Sequence, residues 1–253
     1  NLYLSFDPTQ RGWLNDVPSY IPPVQIGEVM RAGSVGKVIE SKNQNFSEDD
    51  IVQGSFGWQE YAISGEGSGF MPPQKLHEGI SPTSALSIYG ITGLTAYFGM
   101  LDIGKPEQND TVRVSGAAGA TGSVAGQIAK IKGCKVVGVC GSDEKCNTLI
   151  DKLGFDAALN YKDPNYRQSL KDATPDGVDV YFDNTGGMIL GSALFRLNSG
   201  GRIACCGVVS QYDTSTPEPG PKGIPGLLVN KSIRMQGFLV FDFSDRYDQA
   251  TDE

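Results

Sequence analysis

The spacing of apolar residues changes once along the chain, near residue 80. Before that point, short alternating runs at Asn1–Phe6, Gly27–Met30, Gly36–Glu40 and Gln59–Ser64 are separated by turn-rich pieces at Pro18–Pro23, Asn43–Asp50 and Gly65–Gln74. Alternation broken so often predicts small, mostly antiparallel β structure. Ser84–Tyr97, rich in small and apolar residues, predicts mostly helix. Beyond it, strand and helix patterns alternate, the mark of βαβ units on a parallel sheet. Strands are predicted at Thr111–Ser115, Lys135–Val139, Val178–Phe182, Arg202–Cys206 and Ile233–Val240. One helix runs from about Gly119 to Lys132, with Val124, Ile128 and Ile131 on one face and Gly133 just past its end. A second is capped by Ser142 and stops at Gly154. The proline-rich Pro217–Pro225 predicts an extended loop rather than a helix. The expected class is α/β: a doubly wound parallel sheet over 83–253, preceded by a small mostly-β domain over 1–82.

Composition narrows the partners. The 253 residues carry a net charge of −8, which argues against a nucleic-acid partner, because phosphate backbones need a concentrated basic surface. No apolar run reaches membrane-spanning length and no signal peptide opens the chain, so a cytoplasmic location is expected. The five cysteines lie in apolar strand-like or helical stretches and read as buried thiols rather than a disulfide framework. His77 is the only histidine and no cysteines cluster at zinc-binding spacing, so a metal site or a histidine-based triad is not expected.

The chemistry-bearing signal follows the strand Thr111–Ser115. In the run SGAAGATG, Ala117, Gly119 and Gly122 occupy the three positions of a Gly-x-Gly-x-x-Gly fingerprint, with alanine at the first. Between a strand and a periodic helix, this pattern points to a Rossmann-type diphosphate cradle of bare backbone N–H groups. The plain alternative is a glycine-rich turn with no ligand. Gly126, one turn later, would allow close helix packing. The end of the second strand reads Cys140–Gly141–Ser142, without the carboxylate that usually accepts the ribose hydroxyls of NAD. Ser142 and Lys145 there can hydrogen-bond and neutralise a 2′-phosphate, which favours NADP(H) over NAD(H). Asp143 and Glu144 would oppose this unless they face solvent, where they favour the helix N-terminus. For Lys145 the alternative is an ordinary surface lysine.

The sequence resembles the zinc-independent medium-chain dehydrogenase/reductases, and within them the prostaglandin reductase and alkenal/one oxidoreductase group, which includes curcumin reductase-like enzymes. The stretches that carry the likeness are LYLSFDPTQRGW, ITGLTAYFGML, SGAAGATGSVAGQIAK, GSDEK, LGFDAALNY, VDVYFDNTGG and CGVVSQY, in the family's order. The resemblance implies a GroES-like catalytic domain followed by a Rossmann domain, a homodimer, and a few dozen further residues at each end. It implies that Gly119 with Ala117, Ala120, Thr121 and Gly122 approaches the diphosphate, and that Lys145 and Tyr161 hold the 2′-phosphate side. Asn184, Gly186 and Cys206, Gly207 and Val208 would lie along the cofactor, and Tyr212 near nicotinamide and substrate. Where relatives often carry an aromatic residue this chain has Thr9, which implies a more open or more polar pocket wall.

The activity so implied is NADPH-dependent reduction of the C=C bond of α,β-unsaturated ketones and aldehydes, small molecules that the site would bind. Hydride on the β-carbon leaves an enolate, whose oxygen needs a hydrogen-bond donor and whose α-carbon needs a proton. Tyr212 is the expected donor, acting through placement because a phenol is a weak acid; the alternative is that it only packs in its loop. Tyr20, Trp58 and Tyr89 are further candidate wall residues, each as readily explained as core. Asp7-Pro8 and Arg11 are expected to form a local turn and an ion pair. Quinone reduction and non-catalytic NADPH binding stand as alternatives.

Overall fold

Tyr3–Leu4 (β1), Ser34–Lys37 (β2), Ile51–Gly54 (β3) and Gln74–Lys75 (β4) pair in that order into a four-stranded antiparallel sheet. Two short helices accompany it, Thr9–Gly12 (α1) and Pro82–Leu86 (α2), and the whole forms a unit over Asn1–Gly90. The computed structural model describes residues 1–65, 71–214, 216 and 220–253. Two of the expected strands of this unit are absent. Gly27–Met30 forms no strand, because a turn at Gln25–Glu28 holds Gly27 at φ +94°, and Gln59–Ser64 runs without strand pairing. The strands actually used, β3 and β4, fall in or beside segments expected to be turns. Of the Gly65–Gln74 piece, residues 66–70 lie outside the described residues.

The second unit spans Ile91–Glu253. The expected helix over Ser84–Tyr97 is interrupted: α2 ends at Leu86, and α3 restarts at Ile91 and runs to Phe98. A π-helical turn, Gly99–Gly104, follows. Then come Thr111–Ser115 (β5), Ala120–Ile131 (α4), Lys135–Cys140 (β6), Asp143–Asp151 (α5), Ala157–Asn160 (β7) and Tyr166–Ala173 (α6). Val178–Asp183 (β8), Gly187–Arg196 (α7), Leu197–Cys205 (β9), Ile224–Lys231 (α8), Arg234–Gly237 (β10) and Tyr247–Asp252 (α9) complete it. Two corrections apply to the last third. The proposed strand Ile233–Val240 is trimmed to β10, because Leu239 and Asp242 begin a 3-10 turn by exchanging hydrogen bonds. The proline-rich stretch ends in a helix, since Pro225 sits in the first turn of α8, where a missing N–H costs no intrahelical bond; residues 217–219 of it lie outside the described residues.

The six strands run parallel in the order β10-β9-β8-β5-β6-β7. Alternate residues serve opposite faces. Val112 and Val114 of β5 and Val180 and Phe182 of β8 pack with Met100, Ala125 and Ala129. Tyr181 and Ile203 pack with Leu190, Ala193 and Leu194 of α7 on the other face. The two faces explain why these strands read as nearly unbroken apolar runs.

Candidate functional site

The strand order reverses direction between β5 and β8, since β5 is followed by β6 on one side and β8 by β9 on the other. At such a switch point the loops leaving the carboxyl ends of two neighbouring strands part to opposite faces and open a crevice. The loop after β5 carries the glycine-rich run, and the loop after β8 carries Asn184–Gly187.

The run after β5 forms the start of α4. Gly119 is the N-cap, with extended φ/ψ, and its own N–H is used internally, donating to Gly116 O at 2.9 Å. The first helical i→i−4 bond is Ser123 N to Gly119 O. The N–H groups of Ala120, Thr121 and Gly122 therefore have no acceptor within the helix, and Gly119 and Ala120 are exposed. A Cβ on Gly122 would collide with Gly116 O and lie 2.9 Å from Ala117 Cα, so only glycine lets the turn close this tightly. Ala117, fully buried, anchors the turn by donating to Val139 O. Gly126 lies directly under the Phe155 ring, where any side chain would intrude. The cradle fits a diphosphate: three donors without intrahelical acceptors at the positive end of a helix, with no side chain on Gly119 to block the approach.

Next to it, β6 ends at Cys140 and α5 begins at Asp143. Ser142 caps this helix, its Oγ accepting from Lys145 N at 3.3 Å, and the Lys145 side chain is exposed. Of the two carboxylates that could repel a phosphate, Asp143 accepts from Asn160 Nδ2 at 2.8 Å and Glu144 is exposed to solvent. Tyr161 is bound through its N–H to Cys140 O, and its ring covers Gly141, where an added Cβ would lie 3.2 Å from the ring edge. Lys162, not singled out in the sequence, brings a second ammonium 5.8 Å from the centre of the Tyr161 ring. Ser142 and Lys145 thus follow the end of β6, and Tyr161 and Lys162 the end of its neighbour β7.

Across the crevice the organising residue is Asp183, another that sequence reasoning missed. It is buried at the end of β8, and its Oδ1 accepts from Tyr181 OH at 2.8 Å and from Ser115 Oγ, Thr185 N and Gly186 N at 3.0 Å each. Its main-chain oxygen accepts from Cys206 N at 2.8 Å and Gly207 N at 3.0 Å. Asn184 is fastened to the other strand, its N–H donating to Ser115 Oγ and its Nδ2 to Ser115 O. Asp183 therefore locks the ends of β5, β8 and β9 together, and with them Asn184, Gly186 and the Cys206–Val208 turn. Burial, followed by the charge of Asp183, pushes the Cys206 thiol up to about 12, so it stays neutral. Tyr212 follows a 3-10 turn at Val209–Gln211, and its phenol oxygen accepts from Val208 N at 3.4 Å, which folds it back on that same turn.

The remaining candidates lie in the first unit. Tyr20 OH accepts from Trp13 Nε1 and shares a hydrogen bond with Thr9 Oγ1, both at 2.8 Å. Trp58 stacks on Phe6 with ring centres 5.5 Å apart, and Tyr89 is partly exposed. The turn at Asp7 is present, with Gln10 N donating to Asp7 O, and Arg11 Nη1 donates to Asn15 Oδ1 at 3.1 Å. Among the described residues no three His, Cys, Asp or Glu side chains are grouped to hold a metal ion, and no helix is long and apolar enough to cross a membrane.

A doubly wound parallel sheet with a bare, glycine-lined helix start at its switch point defines a dinucleotide-binding α/β protein of the Rossmann type. Residues 1–72 match a family profile described as the N-terminal domain of oxidoreductase, and residues 120–253 one described as zinc-binding dehydrogenase. The chain is 42% identical over 242 residues to the NADPH-dependent curcumin reductase of Escherichia coli, covering 94% of this chain and 69% of that protein. It is 42% identical over 255 residues to the NADP(+)-dependent 2-alkenal reductase of Nicotiana tabacum, covering 98% of this chain and 71% of that one. The crystal structure of CurA from Vibrio vulnificus in complex with NADPH superposes with a TM-score of 0.90 at 42% identity, over 98% of this chain and 74% of that chain. The chain belongs to the medium-chain dehydrogenase/reductase family, in its group of prostaglandin, curcumin and alkenal reductases.

Proposed function

We propose that this protein is an NADPH-dependent reductase of carbon–carbon double bonds conjugated to a ketone or aldehyde. The observation that carries the reading is the bare start of α4 at the switch point, flanked by Ser142 and Lys145 where an NAD-specific site would carry a carboxylate. Its likeness to the curcumin and alkenal reductases supports the choice of acceptor.

In this reading the amides of Ala120, Thr121 and Gly122 hold the diphosphate. Ser142, Lys145 and Tyr161 hold the 2′-phosphate, with Lys162 adding charge. Asn184, Gly186 and Cys206–Val208 line the remainder of the cofactor. NADPH, when bound there, would supply the hydride for the β-carbon of the acceptor. Electron density then moves onto the carbonyl oxygen, and a donor placed there stabilises the enolate. In this reading Tyr212, beside the Cys206–Val208 turn, gives that hydrogen bond. Its phenol acts by position rather than acidity, and the α-carbon takes its proton from it or from solvent. The protein acts on small diffusible molecules, and a cytoplasmic homodimer belongs to the same proposal.

The test follows the near-ultraviolet absorbance of reduced nicotinamide with an enone, an enal and a quinone, and identifies the products. NADPH consumption with enone and enal, yielding the saturated carbonyl, is expected. Consumption with the quinone alone would make it a quinone reductase. Tight NADPH binding without turnover on any of the three would make it a non-catalytic binding protein.

A further inference from the structure

Cys140 closes β6 and Cys146 stands in the first turns of α5, and their sulfur atoms lie 3.3 Å apart with no bond between them. Both also grip the turn that joins their elements. Cys140 Sγ donates to Ser142 O at 3.6 Å, and Cys146 N donates to the same oxygen at 3.1 Å. The two thiols therefore bracket Ser142, whose hydroxyl caps Lys145. A disulfide is about 2.05 Å long, so bond formation needs roughly 1.2 Å of further approach. The intervening Gly141 gives the chain room to make that adjustment.

We propose that Cys140 and Cys146 form a reversible redox-modification site, a disulfide made by peroxides that loosens the hold of the Ser142–Lys145 turn on the 2′-phosphate of NADPH. The consequence for the cofactor rests on the function proposed above; the bond itself does not. In the first step a thiolate attacks hydrogen peroxide, the O–O bond breaks, the sulfur becomes a sulfenic acid and water leaves after protonation. The second sulfur then attacks, the S–O bond breaks, the S–S bond forms and a second water departs. Two thiols and one peroxide thus give one disulfide and two waters, the two electrons passing from sulfur to oxygen. A dithiol reductant reverses it. Burial, followed by the hydrogen bond with Cys140, pushes the Cys146 thiol up to about 12, so Cys146 rests protonated and the bond closes faster as pH rises. Drawing Cys146 toward the strand end moves the adjacent Lys145 and its Ser142 cap, which is why the 2′-phosphate contact yields first.

The purified protein is treated with hydrogen peroxide, alkylated, digested and mapped by mass spectrometry, and the same samples are titrated with NADPH and NADH. A peptide cross-linked through Cys140 and Cys146 is expected, lost on treatment with dithiothreitol and absent from both C140S and C146S. Oxidation should weaken NADPH binding about fivefold and leave NADH binding within about twofold, with no change in C146S. No such cross-link, or one that pairs other cysteines, overturns the site. A cross-link that leaves NADPH affinity unchanged overturns its consequence. If the reduced protein binds NADPH and NADH equally, the cofactor assignment fails instead, and the peptide map alone decides the disulfide.

Discussion

Replacing Gly122 with alanine tests the cradle where its geometry is tightest. The new methyl would meet Gly116 O and sit 2.9 Å from both Ala117 Cα and the Gly116 carbonyl carbon. All of these are main-chain atoms, so no rotamer change relieves the clash. Relieving the contact with Gly116 O, the closest of these atoms, requires a displacement of roughly 1 Å. Two effects on stability oppose each other. Alanine is a better helix former than glycine by roughly 0.5–1 kcal/mol, whereas forcing a methyl into a packed site costs roughly 1–3 kcal/mol. At mid-range values the clash wins by roughly 1 kcal/mol, a fall of a few degrees in Tm. The larger effect is on binding, because the shift moves the Ala120–Gly122 amides. A hydrogen bond to a charged group is worth roughly 1.5–3 kcal/mol, so losing the alignment of one weakens binding roughly tenfold to a hundredfold. Nucleotide titration beside a thermal melt reads both. NADPH and NADH should weaken together, since the diphosphate is common to them. Wild-type affinity for both, with Tm unchanged, would refute the reasoning.

Four further changes probe other parts of the site and fold. Lys145→Ala should weaken NADPH by about tenfold while leaving NADH nearly unchanged; equal effects in the two titrations would remove Lys145 from the 2′-phosphate. Tyr212→Phe should lower kcat more than it raises the Kd for NADPH, and unchanged turnover would leave it a packing residue. Asp183→Asn weakens the acceptor that Thr185, Gly186, Ser115 and Tyr181 share; steady-state kinetics should show kcat down about tenfold with a smaller change in NADPH affinity. For Asp156, burial raises the carboxyl's pKa, but the Val136 N–H and the Lys130 ammonium outweigh burial and hold it below its ordinary 3.8. A carboxyl with a depressed folded pKa stabilises above its unfolded pKa and loses that contribution as pH falls through the folded one. Asp156→Asn should therefore lower Tm by a few degrees at neutral pH, roughly 1 kcal/mol for a pair partly open to solvent. The gap to wild type should close as the pH drops below about 4.

The second unit was legible because its strands are buried on both faces. Thr111–Ser115 appears as expected, and Lys135–Cys140 and Val178–Asp183 each extend one residue further. The first unit misled because its strands are short and their pairing is not written in their own residues. Gln74–Lys75 is polar and exposed on both positions and is a strand only because β3 accepts it. Gly27–Met30 alternates correctly, yet Gly27 adopts a positive φ and turns the chain. At the site, the glycines, Ser142 and Lys145 could be found because their spacing is local. Asp183 and Ser115 could not, because their bond spans 68 residues and exists only once β5 and β8 are neighbours at the switch point. Arg113 gave no signal either. It reads as one position in a valine-rich strand, but it is fully buried, donating to Tyr166 OH and Ser192 Oγ and lying over the Tyr181 ring.

The most direct measurement is a crystal structure of the protein grown with NADPH. The diphosphate is predicted to rest on the amides of Ala120, Thr121 and Gly122, with the 2′-phosphate within hydrogen-bonding reach of Ser142 and Lys145. A dinucleotide ordered elsewhere on the protein, or a 2′-phosphate turned away from that lysine into solvent, would contradict the account.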